Sequence, residues 1–175
     1  GVAPWDVLHQ GLSELTGIPV GTVIILVGFA LLALWIPLRV RPGLGTLLNA
    51  VIIGVVVDLL DPHLPEIDHL GLRIAAMLGG VAAFGVGSGL YIGAGLGPGP
   101  RDGLMTGLAR RGLSIRAART GVEIAALAIG FALGGSIGIG TVTFAVAIGP
   151  LVQLCLPRLT MPSSLPHRNT VVVSR

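Results

Sequence analysis

The chain has 175 residues, 53% of them hydrophobic and only 11% charged, with 28 glycines and a formal net charge of +3. Such usage departs from that of soluble domains and places the chain among membrane proteins before any motif is read. All eleven basic residues are arginines that punctuate apolar stretches instead of clustering on a polar face, so no nucleic-acid partner is expected. The single cysteine, Cys155, lies in an apolar run; it can build no disulfide framework or thiolate metal centre and reads as packing.

A spanning helix needs about 20 predominantly apolar residues. Residues 17–38 are uncharged and contain VIILVGFALLALWI, which predicts a first span. A second is predicted over 43–60, interrupted by Asn49 and, near its end, by Asp58; a third lies within 74–100. Beyond Glu123 no charge occurs before Arg158, which leaves room for two more spans with Gly134-Gly135-Ser136 as the turn between them. The expected fold class is therefore an all-α membrane protein with five spans.

Charges between the spans alternate in sign. An acidic lead-in (Asp6, Glu14) is followed by the basic turn Arg39-Val40-Arg41, then by an acidic loop with Asp58, Asp61, Glu66 and Asp68. A basic segment follows (Arg101, Arg110, Arg111, Arg116, Arg119), and the tail carries Arg158, Arg168 and Arg175. The positive-inside rule puts the basic segments and the C-terminus in the cytoplasm and the acidic loop outside. Residues 158–175 are too weakly apolar to pack alone and are expected to form a mobile cytoplasmic end.

The chain also repeats itself at an interval of about 95 residues. GVAPWDVLHQGL aligns with GPGPRDGLMTGL, matching Gly1, Pro4, Asp6, Leu8, Gly11 and Leu12 with Gly97, Pro100, Asp102, Leu104, Gly107 and Leu108. After a one-residue offset Gly17 falls on Gly112, and Gly43, Gly45, Thr46, Gly54 and Pro62 fall on Gly138, Gly140, Thr141, Gly149 and Pro157. The two units are residues 1–71 and 72–157. The second unit has a span before its Pro-x-Asp segment and the first does not, so the repeat predicts a further helix ahead of Gly1 and six spans in the intact protein. Three spans per unit make the units inverted in the membrane, an architecture typical of transporters and found in some channels.

The candidate site follows from the two glycine-rich Pro-x-Asp segments, which contribute Pro4 and Asp6 from one unit and Gly97, Pro100, Arg101 and Asp102 from the other. Each precedes about a dozen mildly amphipathic residues, too few to span. Proline suits the first turn of a helix, and an aspartate there complements the positive end of the dipole. Two readings are open: half-helices that aim free N–H groups at an anionic solute or use their aspartates for cations or protons, or aspartates that only cap their own helices.

The other polar residues of the spans have similarly paired readings. Asn49 lines a polar path or bonds across helices. Glu123 is a candidate as an intramembrane carboxyl, although Arg119 four residues earlier can neutralise it. Asp58 and its repeat equivalent Gln153 read as gate or interfacial groups. His63, Glu66, Asp68 and His69 match no metal-ligand spacing, so no metal is expected; the glycine runs follow no strand, so no nucleotide or other cofactor is expected.

GLGPGPRDGLMTGL, APWDVLHQGLSELTG and RPGLGTLLNAVIIGVVVD together make the chain similar to the YczE/YyaS/YitT group of bacterial integral membrane proteins, over nearly its whole length. The resemblance implies a multi-pass protein of the bacterial cytoplasmic membrane and carries over no catalytic or binding residue. The leading expectation is a transporter or permease for a small solute, anionic species among them, with the lipid bilayer as its other partner. The alternative is a non-transporting scaffold or regulator that binds a partner protein. An enzyme is not expected, because no nucleophile–base or metal arrangement lies within the spans. Oligomeric state is not legible in the sequence.

Overall fold

The computed structural model describes residues 2–65 and 67–159. These form seven α-helices: α1 (Pro4–Thr16), α2 (Val20–Leu38), α3 (Leu44–Leu60), α4 (Leu70–Gly93), α5 (Pro100–Ala109), α6 (Ile115–Ala132) and α7 (Ile139–Leu159). A short 3-10 turn, Asp61–His63, follows α3, and the described residues contain no strand. Glu66 of the acidic loop and the tail from residue 160 onward fall outside the described residues.

Among the described residues three helical stretches are long and apolar enough to cross a membrane: Val20–Leu38, Leu44–His63 and Leu70–Tyr91. Only 22%, 22% and 11% of them is buried inside the molecule, so most of their apolar surface needs a bilayer to cover it. Leu26, Phe29, Leu34, Ile52, Val55 and Leu78 all face outward. The remaining two expected spans fall on α6 and α7, neither of which is among these three. Helix α6 carries Arg116, Arg119 and Glu123 in its first half, and the apolar stretch of α7 among the described residues is the shorter Ile139–Ile148.

The two Pro-x-Asp segments are short helices. Pro4 and Pro100 occupy the first turns of α1 and α5, where no N–H is required, and Asp6 and Asp102 lie in the same turns. With 13 and 10 residues they measure about 20 and 15 Å, short of a ~30 Å hydrocarbon core. Helix α1 stops at Gly17, whose φ of 71° needs no Cβ to be accommodated and whose N–H donates to Ser13 O.

Small residues bring the helices together. In the α2–α3 hairpin Gly21 and Gly54 face each other's carbonyl oxygens. There the Asp58 carboxylate of α3 caps the start of α2, accepting from Gly21 N–H at 2.6 Å and from the Thr22 hydroxyl at 2.7 Å. This gives Asp58 a structural partner that its position near a span end does not reveal. Helix α4 packs on α7, with Phe84 edge-on to Phe144 at 5.0 Å.

The short helices pack crosswise, α1 on α6 and α5 on α2. Gly11 of α1 abuts Leu133 and Gly135, while Gly107 of α5 abuts Leu38 and Val40. Trp35 of α2 lies over Gly103 of α5, and Gly130 of α6 lies against the Val7–Leu8 backbone of α1.

Candidate functional site

The start of α5 is held from outside because its own turn supplies few donors. Pro98 and Pro100 have no N–H, and their carbonyl oxygens accept instead from the Thr46 hydroxyl (2.7 Å) and the Trp35 indole N–H (2.9 Å). Gly45 N–H donates to Leu96 O at 3.0 Å. Thr46 also accepts the Gly43 N–H at 3.1 Å, the returning half of a capping box whose other half a glycine cannot supply. Thr46 is fully buried and Trp35 is 1% exposed, so these contacts fix the glycine-rich turn against α2 and α3.

The start of α5 and the start of α1 both line a cavity of about 410 Å³. Helices α2, α3 and α4 complete the walls with Ile24, Val27, Leu31, Ile53 and Phe84, so the space is largely apolar with a few polar groups. Asp6 and Asp102 both line it, as do Asn49, Pro100 and Arg101. Pro4 and Gly97 do not: Pro4 starts α1, and Gly97, at φ 116°, sits against Gly43 and Thr46. Glu123 is also outside it, and its carboxylate accepts from Arg119 Nε at 3.1 Å on a half-exposed face of α6.

Four lining residues stand outside the site candidates drawn from the sequence: Trp5, His9, Ser88 and Tyr91. His9 is 7% exposed, and its Nδ1 lies 3.2 Å from Asp6 Oδ1. The i,i+3 spacing of Asp6 and His9 is the signal that could have found this pair. Trp5 and Tyr91 have no such signal, one being one of two tryptophans and the other the sole tyrosine of the sequence, in an otherwise apolar span.

Most polar groups of the cavity are unsatisfied by protein. The Trp5 indole N–H and the Tyr91 hydroxyl are buried without a hydrogen-bond partner among the described residues. Asp102 accepts nothing from its own helix, and Arg101 makes no ion pair there but stacks over the Phe84 ring, 5.7 Å from its centroid. Around Gly99, the N-cap of α5, three oxygens converge. A Cβ built there would stand 3.2 Å from Asp102 Oδ2, 3.4 Å from Tyr91 Oη and 3.5 Å from Asn49 Oδ1. With His9 neutral the fixed charges of the lining are two carboxylates and one guanidinium, a net of −1. Ala3, Asp6 and Phe84 also border a second, wider recess of about 1150 Å³ beside α4 and the start of α7.

A family model described as "Family of unknown function (DUF6198)" matches residues 1–157. A protein of Haemophilus influenzae described as "Uncharacterized protein" is 40% identical over 168 residues, which is 95% of this chain and 76% of that protein. The "Uncharacterized membrane protein YczE" of Bacillus subtilis is 37% identical over 161 residues, 90% of this chain and 74% of that one. No solved structure matches. The chain belongs to the DUF6198 family of unknown function and is a YczE-like membrane protein.

Proposed function

We propose that this protein carries a small polar solute across the bacterial cytoplasmic membrane, binding it between the first turns of α1 and α5. The observation that carries this reading is that Asp6 and Asp102, 96 positions apart and equivalent in the sequence repeat, line one cavity. Had each aspartate only capped its own helix, its carboxylate would accept from that helix's N–H groups; among the described residues Asp6 lies against the His9 ring instead, and Asp102 accepts no such bond.

The transport architecture is read as two inverted units with five spans in this chain, α2, α3, α4, α6 and α7, and with basic segments and the C-terminus in the cytoplasm. Crosswise packing supports it. In the repeat alignment Gly11 corresponds to Gly107, Leu133 to Leu38 and Gly135 to Val40, so the contact of α1 with α6 and that of α5 with α2 use equivalent positions. Binding at the interface of inverted repeats, where short helices end, is the arrangement of many secondary transporters. The net negative lining argues against the anionic solutes that bare helix N-termini suggest, and for neutral or positively charged ones.

Purified protein in liposomes, screened for uptake of radiolabelled neutral, cationic, zwitterionic and anionic solutes, tests the reading. Saturable uptake of one class, absent from protein-free liposomes, is the expected result. Absence of binding and flux across the whole panel would contradict it, and a stoichiometric protein partner recovered by crosslinking would point to a scaffold instead.

A further inference from the structure

The oxygens around Gly99 come from three helices, Asn49 from α3, Tyr91 from α4 and Asp102 from α5, and none has a hydrogen-bond partner among the described residues. The Tyr91 hydroxyl is buried without a partner, which is costly, and it stands with the half-buried Asn49 and Asp102 oxygens around Gly99 at the wall of one cavity, three acceptors to match the three N–H donors of a primary ammonium group. The carboxylate supplies the charge, and the hydroxyl and the carboxamide oxygen supply the other two acceptors. From this geometry we infer that the space over Gly99 is the subsite for the ammonium head of a small organic amine, with the apolar walls of the same cavity holding its body.

Two further features agree with this assignment. The lining carries a net charge of −1 with His9 neutral, which one ammonium brings to zero. The residue at position 99 has no Cβ, although its backbone, at φ −60° and ψ 161°, is one that any residue adopts; space, not conformation, is what the glycine supplies there. The equivalent position of the first unit is Ala3, which carries the Cβ that Gly99 lacks. Arg101 does not compete for the carboxylate, because its guanidinium is stacked on Phe84.

This inference rests on the solute-binding reading of the cavity, and Gly99→Ala separates the two. The full chain in detergent is titrated with propylammonium chloride at constant ionic strength and pH 7, followed by its tryptophan fluorescence. A saturable change with propylammonium is expected, with tetramethylammonium, sodium chloride and sodium propionate giving none. Gly99→Ala and Asp102→Asn each weaken it by about tenfold or more, while Gly99→Ala leaves the melting temperature in place. An isothermal titration of the same chain gives the same ranking of ligands. Propylammonium binding that survives Gly99→Ala overturns the assignment, as does an equal response to tetramethylammonium or to sodium alone. If propylammonium fails to bind while a solute of another class is taken up in an Asp6- and Asp102-dependent way, the ammonium subsite falls and the cavity reading stands; if no solute binds at all, both fall.

Discussion

Trp35 lies directly over Gly103, with its indole ring in the space that a Cβ on Gly103 would occupy, and its Nε1–H reaches Pro100 O at 2.9 Å. One side chain thus sets both the distance of α5 from α2 and the aim of the first turn of α5. Gly103→Ala must displace the ring or the helix. It is expected to destabilise by about 1–3 kcal/mol, the range for overpacking a tight contact, read as a lower unfolding midpoint in detergent. Trp35→Phe keeps most of the volume, loses the hydrogen bond to a buried carbonyl and is expected to cost about 1–3 kcal/mol.

The size exchange across the repeat is informative. The equivalent of Trp35 is Gly130, and the equivalent of Gly103 is Val7; where α5 meets α2 the large residue is on the long helix, and where α1 meets α6 it is on the short one. Gly130→Ala, pressing on the Val7–Leu8 backbone, is expected to be at least as costly as Gly103→Ala, because backbone cannot rotate away as a side chain can. The same melting experiment on the two variants compares them.

Asp58 accepts from two groups at the start of α2, where the helix dipole also favours a negative charge. Asp58→Ala leaves Gly21 N–H and Thr22 without their acceptor and is expected to cost about 1–3 kcal/mol. Asp58→Asn can restore part of it. Neither substitution touches the cavity, so solute binding measured below the unfolding midpoint is expected to be unchanged.

Glu123 and Arg119 form an i,i+4 pair whose side chains are 37% and 53% exposed. Such pairs contribute about 0.3–0.5 kcal/mol. Glu123→Gln is therefore expected to leave stability within that margin and solute uptake at the wild-type level; a loss of uptake with the fold intact would show that the carboxyl works in transport after all.

The helical elements are legible in the sequence for simple reasons. Uncharged runs of about 20 residues are long and apolar enough to be read as candidate spans, and Pro4 and Pro100 mark helix starts because a missing N–H is harmless there. Gly17 and Gly134 end helices at positive φ, as a glycine after an apolar or amphipathic run suggests. The repeat singles out Asp6 and Asp102 as equivalents, but equivalence of position carries no information about distance. Their sharing of one cavity depends on how α5 packs on α2, where Trp35 meets Gly103. Tyr91 and Trp5 were illegible because in apolar segments an aromatic residue reads as packing; only the burial of their polar ends without partners sets them apart. Asp58 shows the reverse, a carboxyl near a span end that reads as a gate or an interfacial group and is engaged by the neighbouring helix.

The central claim is that Asp6 and Asp102 act on one solute in one cavity, and a double-mutant cycle on uptake into proteoliposomes tests it most directly. Wild type, Asp6→Asn, Asp102→Asn and the double variant are compared with the solute found by screening. Each single substitution is expected to lower the initial rate by about tenfold or more, and the double variant to fall well short of the product of the two losses, as residues sharing a ligand do. Full uptake by the double variant, or losses that multiply as for independent sites, would contradict the account.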